Sequence, residues 1–98
     1  MGRPEARIEN HLRRRVKETG GRYRKVRWIG RRGAPDQLIW WTWPRAALVE
    51  CKAEGETVDP GSQQEREIQR LRDDGWPVFV VNSRDDVDRV IEKVRGSE

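Results

Sequence analysis

An acidic and a basic side chain alternate with apolar residues in one short segment near the middle of the chain. Residues 46–52 read AALVECK, so Glu50 and Lys52 are two residues apart on a predicted β-strand. Alternate residues of a strand point to the same face, so both side chains should project from one side of the sheet. This pair suits phosphodiester hydrolysis, in which negative charge builds up on the phosphate. Glu-x-Lys is also common on the solvated face of a strand.

A second carboxylate, Asp36, precedes the strand that is predicted to pair with this segment. If residues 43–45 form the hairpin loop, antiparallel pairing puts Leu38 opposite Glu50. The same pairing puts Asp36 opposite Lys52, so the ionisable side chains share a face, which a one-residue slip would break. The opposite face of this hairpin is then wholly apolar and consists of Ile39, Trp41, Trp43, Val49 and Cys51.

The two carboxylates offer the hard oxygen ligands that Mg²⁺ prefers, and the backbone carbonyl of Cys51 adds a third. A bound divalent ion would activate water and neutralise charge on the phosphate. Lys52 would orient the attacking water or stabilise the transition state. The expected metal ligands are therefore Asp36, Glu50 and the Cys51 carbonyl, with Mg²⁺ as cofactor and Mn²⁺ able to substitute.

Cys51 is the only cysteine, which excludes an internal disulfide and a multi-cysteine zinc site. No histidine is near it in the sequence, so its side chain is predicted to be a small apolar core residue rather than a nucleophile.

The surrounding pattern predicts an α/β protein with the order α-β-β-β-α-β-α in one domain over residues 1–98. The strand–helix–strand unit over residues 46–81 should be a right-handed parallel crossover. Ser83 and Asp86 resemble a capping box before the last helix. The predicted boundaries are a helix from Pro4 to Thr19, strands 22–28, 37–43 and 46–52, a helix from an Asp59 N-cap to Asp74, strand 77–81 and a final helix.

The middle helix carries a glutamine on its buried stripe. Gln64, Ile68 and Leu71 follow one another at i, i+4 and i+7. A buried glutamine needs a polar partner, and the cleft that holds Glu50 would provide one. Gln63 remains the alternative.

Together these segments resemble the VRR-NUC domain of the PD-(D/E)xK nuclease superfamily. GAPD at 33–36, ECK at 50–52 and the glutamine of the following helix carry the resemblance, which extends from Ile8–Leu12 to the VFVVNS strand and the last helix. It implies a restriction-endonuclease-like core, a central mixed sheet flanked by helices, and a metal-dependent DNA endonuclease. It also assigns metal binding to Asp36 and Glu50, and the catalytic lysine role to Lys52.

The resemblance further implies a catalytic glutamate on the first helix and a catalytic glutamine on the middle one. Glu9 fits the first best, although Glu5 is nearer the centre of the apolar stripe and remains a competitor. Either glutamate could instead be a favourable charge near a helix N-terminus. Gln64 fits the catalytic glutamine. The segment that leads to it reads VDPGSQQ, whereas the family more usually has a shorter serine–proline–glutamine segment.

Positive charge is concentrated at the start of the chain. Residues 1–35 hold twelve Lys or Arg and three acids, whereas residues 36–98 hold nine and fourteen. This asymmetry predicts a polyanionic partner. Arg31 and Arg32, in a Gly-bounded loop, are predicted to hold phosphates beside the scissile bond, although a merely solvated loop is the alternative. The remaining predicted DNA-binding residues are Arg13, Arg14 and Lys17.

Stand-alone VRR-NUC proteins resemble Holliday junction resolvases and are commonly encoded by phages, so the resemblance implies branched DNA as substrate. One chain supplies one site, and a two-fold symmetric junction therefore favours a homodimer, with Trp28 or the last helix at its interface. The alternative is a module that binds DNA without cleaving it. No apolar run suggests a membrane span or a signal peptide, so we expect a cytoplasmic protein of a bacterium or phage-infected cell.

Overall fold

The computed structural model describes Arg3–Gly96 and confirms the predicted order of elements. The helices are α1 (Ala6–Glu18), α2 (Gln63–Asp73) and α3 (Arg84–Arg95), and the strands are β1 (Arg22–Lys25), β2 (Gln37–Trp40), β3 (Ala46–Cys51) and β4 (Val78–Val81). Among the described residues, no helix is long and apolar enough to cross a membrane.

The four strands form one mixed sheet in the order β1-β2-β3-β4. β1 and β3 each pair with β2 in antiparallel orientation, whereas β3 and β4 are parallel and are joined through α2. The predicted central mixed sheet is therefore confirmed. A parallel pair needs a crossover connection, which is why a whole helix separates β3 from β4.

Two hydrophobic clusters place helices on both faces of the sheet. The larger cluster packs α1 and α3 against the sheet through Leu12, Val16 and Ile91, with Ile39 and Val49 beneath them. The smaller cluster packs α2 on the other face and is formed by Leu48, Ile68 and Val78, with Trp28, Leu38, Val58, Leu71 and Val80 at its edge. Cys51 is buried in the larger cluster, and burial raises the pKa of its thiol, as expected for a core residue.

The register of the β2–β3 hairpin differs from the prediction by two residues. Leu38 lies opposite Leu48 rather than Glu50. The reason is the turn, which is closed by the Trp41 N–H donating to the Arg45 carbonyl at 2.8 Å and therefore begins one residue earlier. Moving the turn by one residue shifts the pairing by two, and a shift of two keeps every side chain on its predicted face. Trp43 is the exception, because it lies in the turn and is 75% exposed.

The predicted start of α2 at Asp59 is wrong. Ser62 is the N-cap, and its hydroxyl accepts a hydrogen bond from the Glu65 N–H at 3.1 Å. The Glu65 carboxylate reaches back to the Gly61 N–H at 2.7 Å, so the first turn is capped from both sides. The strands are also shorter than predicted, with β1 ending at Lys25. The predicted Ser83 cap is confirmed, since its hydroxyl accepts from the Asp86 N–H at 3.0 Å.

Candidate active site at the end of the sheet

The predicted catalytic side chains converge where β2 begins and β3 ends. Continuing the β2–β3 ladder by one residue puts Asp36 opposite Glu50, on the face that α2 covers. Gln64, the second residue of α2, is close enough to Glu50 to lower the pKa of its carboxyl. Lys52 follows β3 directly and is half-buried. Four of the predicted site residues therefore meet at one end of the sheet.

In this cluster the negative charge of Glu50 is only partly compensated by its neighbours. Burial raises the pKa of Glu50 to about 7, and the negative charge of Asp36 adds to the rise. The charge of Lys52 and the hydrogen bond from Gln64 oppose the shift without cancelling it. A positive charge placed between the two carboxylates would be strongly favoured.

The backbone carbonyl of Cys51 is directed toward the start of β2. The Lys52 N–H donates to the Val81 carbonyl at 2.8 Å, so the carbonyl of the same peptide unit points to the opposite side of the strand. The β2–β3 ladder ends at Gln37 and Val49, and extending its register by two residues would place Pro35 there, which has no N–H to donate. Position 35 therefore supplies no backbone hydrogen bond to this carbonyl oxygen.

These groups fit a hard divalent cation. Within Arg3–Gly96, no three side chains of His, Cys, Asp or Glu are grouped so that they could hold a metal. The available protein ligands are then two carboxylates and one carbonyl. Mg²⁺ commonly binds through one or two carboxylates and keeps several waters, so this donor set suits it.

The two candidate glutamates of α1 occupy different environments. Glu9 is 4% exposed, and its carboxylate accepts hydrogen bonds from Arg3 at 2.6 Å and from Lys25 at 3.1 Å. Glu5 is half-buried and lies 3.7 Å from Arg3. Burial alone would raise the pKa of Glu9, but the hydrogen bonds from Gln37 and Lys25, with the charges of Lys25 and Arg3, lower it overall. Glu9 is therefore the glutamate that faces the site.

Gln37 connects Glu9 to Asp36. Its side chain is fully buried, and its amide nitrogen donates to Glu9 Oε2 at 2.9 Å and to Asp36 Oδ1 at 3.0 Å. Its amide oxygen accepts a hydrogen bond from the Tyr23 hydroxyl. Lys25 Nζ spans the same two carboxylates, 3.1 Å from Glu9 and 3.6 Å from Asp36. Glu9 thus reaches Asp36 through two intervening side chains rather than directly.

The basic loop packs directly on the start of α2. Gly33 has φ of +79°, and a Cβ there would lie 2.8 Å from Gln64 Cα. Arg31 and Arg32 precede this contact and line an open groove of 440 Å³ together with residues of α2. The loop therefore brings both arginines close to the residues that contact Glu50.

The other predicted DNA-binding residues lie on a different surface, along α1 and beside β1. Arg13 stacks on the ring of Tyr23, 5.4 Å from its centroid, and Lys17 is exposed. Arg14 is held locally, with hydrogen bonds to His11 at 2.9 Å and to Glu18 at 3.5 Å. These residues therefore do not share the groove of Arg31 and Arg32.

Comparison with known proteins identifies the family and the fold. The VRR-NUC domain model matches residues 4–85, which include Asp36, Glu50, Lys52 and Gln64. The chain belongs to the VRR-NUC family. It is 42% identical over 78 residues to "Putative nuclease p44" of Acyrthosiphon pisum secondary endosymbiont phage 1, covering 80% of this chain and 82% of that protein. A solved structure described as "VRR_NUC domain" matches with a TM-score of 0.81 and 37% identity, covering 93% of this chain and 97% of the other.

Sequence reasoning missed several residues that build the site of this VRR-NUC domain. Gln37 carried a usable signal, because it is a polar residue at a position that alternates with Ile39 on the apolar face of β2. Tyr23 and Lys25 are likewise two residues apart on β1. The convergence of Tyr23 on Gln37, and of Gln37 and Lys25 on Glu9, depends on how α1 packs against the sheet, which no local pattern encodes.

Proposed function

We propose that this nuclease-type domain is a Mg²⁺-dependent DNA endonuclease, in which Mn²⁺ can replace Mg²⁺. The observation that carries the proposal is the pairing of the Asp36 and Glu50 carboxylates beside Lys52 in a VRR-NUC chain. Two adjacent carboxylates are costly for folding unless a cation binds them, and residues with strongly perturbed pKa values cluster at functional sites.

Asp36, Glu50 and the Cys51 carbonyl would hold the ion. When bound, the ion would supply Lewis-acid chemistry and neutralise negative charge on the phosphate. Lys52 would donate a hydrogen bond to a phosphate oxygen as its charge increases in the transition state. Gln64 would hold the Glu50 carboxylate in a fixed orientation.

Glu9 would act by holding Lys25 and Gln37 in place. Both side chains contact Glu9 and Asp36, so the buried Glu9 charge anchors the two groups that orient Asp36. This interpretation assigns Glu9 a positioning role, whereas Asp36, Glu50 and Lys52 would contact the ion or the substrate.

The proposed substrate is branched DNA such as a Holliday junction, and the proposed active form is a homodimer in the cytoplasm. Membership of the VRR-NUC family supports a nucleic-acid substrate. A four-way junction has near two-fold symmetry, and a C₂ dimer is the simplest way to present two equivalent sites to it.

The test is cleavage of supercoiled plasmid and of synthetic four-way junction, flap, nicked and plain duplex DNA, in Mg²⁺, Mn²⁺ or EDTA. We expect cleavage only with a divalent ion and fastest on the junction. Asp36→Asn and Glu50→Gln should each lower the rate by about 10²-fold or more while DNA binding is retained, because each change removes a metal ligand and a negative charge. Calorimetric titration with Mn²⁺ should show weaker binding in both variants.

Asp74→Asn and Glu56→Gln make the same chemical changes at exposed positions and should cleave like the unmodified protein. Full activity of the Asp36 and Glu50 variants would contradict the metal site. DNA binding without cleavage under every metal condition would favour the alternative, a non-catalytic module that recognises DNA structure.

A further inference from the structure

The groove beside the basic loop has arginines on both of its walls. Arg31 and Arg32 come from the loop that precedes Asp36, whereas Arg66 and Arg70 are one turn apart on α2. The groove has a volume of 440 Å³ and a mostly polar lining. Two arginines that are remote in the sequence thus face two others across an open surface.

One buried acid fixes part of this arrangement. The Glu67 side chain is 9% exposed, and its carboxylate lies 3.6 Å from Arg31 and 3.4 Å from Arg70. A buried carboxylate is stable only when it is paired, so these contacts hold the loop arginine and the helix arginine toward each other. Arg31 and Arg70 are about half exposed and keep further N–H groups free for an outside acceptor.

The groove carries more positive charge than its own acid can balance. Arg66 donates to the Gly61 carbonyl at 2.6 Å, and that neutral acceptor removes none of its charge. The groove lining therefore contains four guanidinium groups and a single carboxylate, which contacts two of them. Arginine forms paired hydrogen bonds with phosphate oxygens, so the surplus suits a ligand that presents several phosphates in a row.

The groove is built by the same loop and helix that carry residues of the candidate active site. Gln63 lines the groove, and its neighbour Gln64 contacts Glu50. On the other wall, Gly33 follows Arg32 and abuts the Gln64 backbone, three residues before Asp36. The groove is therefore close enough in the fold to be tested as the place where phosphates that flank the scissile bond bind.

We propose that this groove binds the sugar–phosphate backbone of the DNA strand that flanks the scissile bond, with Arg66 and Arg70 contacting phosphates alongside Arg31 and Arg32. The proposal rests on the proposed nuclease function for its ligand and adds α2 to the DNA-binding surface. Contacts of this kind position the strand and are independent of base sequence.

The experiment measures DNA affinity between 50 and 300 mM KCl by fluorescence anisotropy, with EDTA and in a Glu50→Gln background that prevents cleavage. Two duplexes of unrelated sequence are used. Arg66→Ala/Arg70→Ala and Arg31→Ala/Arg32→Ala should each weaken binding to both duplexes. Each pair should lower the slope of log K against log salt by roughly 1.8, the value for two lost phosphate contacts.

Arg89→Ala/Arg95→Ala is the matched control, because it removes the same charge from α3 on the other face of the sheet. It should change the slope by less than about half a unit. An equal loss of DNA affinity in the α2 variant and in the control would contradict DNA binding by the groove, because it would indicate only a general effect of charge. An unchanged slope of log K against log salt in the α2 variant would also contradict the proposal. Affinity lost for one duplex alone would indicate that these arginines recognise base sequence.

Failure of the groove and failure of the nuclease can be told apart. Metal-dependent cleavage by the unmodified protein with an unchanged slope in the α2 variant would contradict only the groove. A reduced slope in the α2 variant, with no cleavage by the unmodified protein under any metal condition, would support DNA binding by the groove and contradict the nuclease function. Inorganic phosphate is titrated separately. Saturable phosphate binding that is lost in the α2 variant, with DNA affinity unchanged, would assign the groove to a small phosphate ligand and overturn the proposal.

Discussion

At the scale of single residues, the Gln37 amide can adopt only one orientation. Its neighbours Glu9 and Asp36 carry carboxylates that accept hydrogen bonds when ionised, so the amide nitrogen must face them. The Tyr23 hydroxyl then donates to the amide oxygen and completes the set. All the polar atoms of a fully buried glutamine are thereby used, and Asp36 is held at one of its two oxygens.

This network predicts a large loss of stability in Gln37→Leu. The change keeps the volume but leaves the buried Glu9 carboxylate without one donor and the Tyr23 hydroxyl without its acceptor, which should cost about 2–4 kcal/mol. Tyr23→Phe removes one hydroxyl and should cost about 1 kcal/mol. Urea unfolding gives both values.

Gln69→Leu is the control for this pair, because it makes the same change at an exposed position of α2. It should shift the free energy of unfolding by no more than about 0.5 kcal/mol. Equal losses in Gln37→Leu and Gln69→Leu would show that the buried network adds no stability.

At the scale of elements, the loop before β2 and the first turn of α2 must approach closely to bring Asp36 and Gln64 into one site. Gly33 makes this contact possible, since its backbone lies in the left-handed region and leaves no room for a Cβ. The register of the hairpin then sets Asp36 beside Glu50. Neither of the two candidate catalytic carboxylates is positioned by its own element alone.

Gly33→Ala is therefore predicted to damage the protein more than Gly30→Ala. Both glycines have positive φ, which should cost about 1–2 kcal/mol on substitution, but a Cβ at Gly30 meets nothing within 4 Å. A Cβ at Gly33 would lie 2.8 Å from Gln64 Cα and should cost a further 1–3 kcal/mol or so. Urea unfolding compares the two variants, and equal losses would contradict the close approach.

At the scale of the whole molecule, Trp28, one of the two candidates for a dimer interface, is held by contacts within the chain. The Trp28 indole N–H donates to the Pro35 carbonyl at 2.8 Å, and the ring packs on the smaller hydrophobic cluster. The exposed large apolar residues among those described are Ile29, Trp43 and Trp76.

A homodimer remains our prediction, because coordinated cleavage of a junction needs two sites at a fixed separation. Sedimentation velocity at micromolar concentration should give a dimer, and a cruciform plasmid should be converted directly to linear product. A monomer at every accessible concentration, giving only nicked circles, would contradict both the dimer and the junction substrate while leaving the nuclease chemistry unaffected.

The sequence alone determined the order of the elements, the faces of the strands and the residue types of the site. Periodicity fixes these features locally, so Glu50 and Lys52 share a face whatever the register, and the Asp36 face survived a register error of two residues. The Ser83 cap was predictable for the same reason, since it lies within a single turn.

The tertiary structure alone decided which distant side chains meet. Gln37 lies 28 residues from Glu9, and Arg31 lies 36 residues from Glu67, yet each pair is in contact. These contacts depend on how α1 and α2 pack on opposite faces of the sheet and on where the hairpin turns. Packing of this kind is set by the summed burial of many side chains, and no single segment of the sequence contains that information.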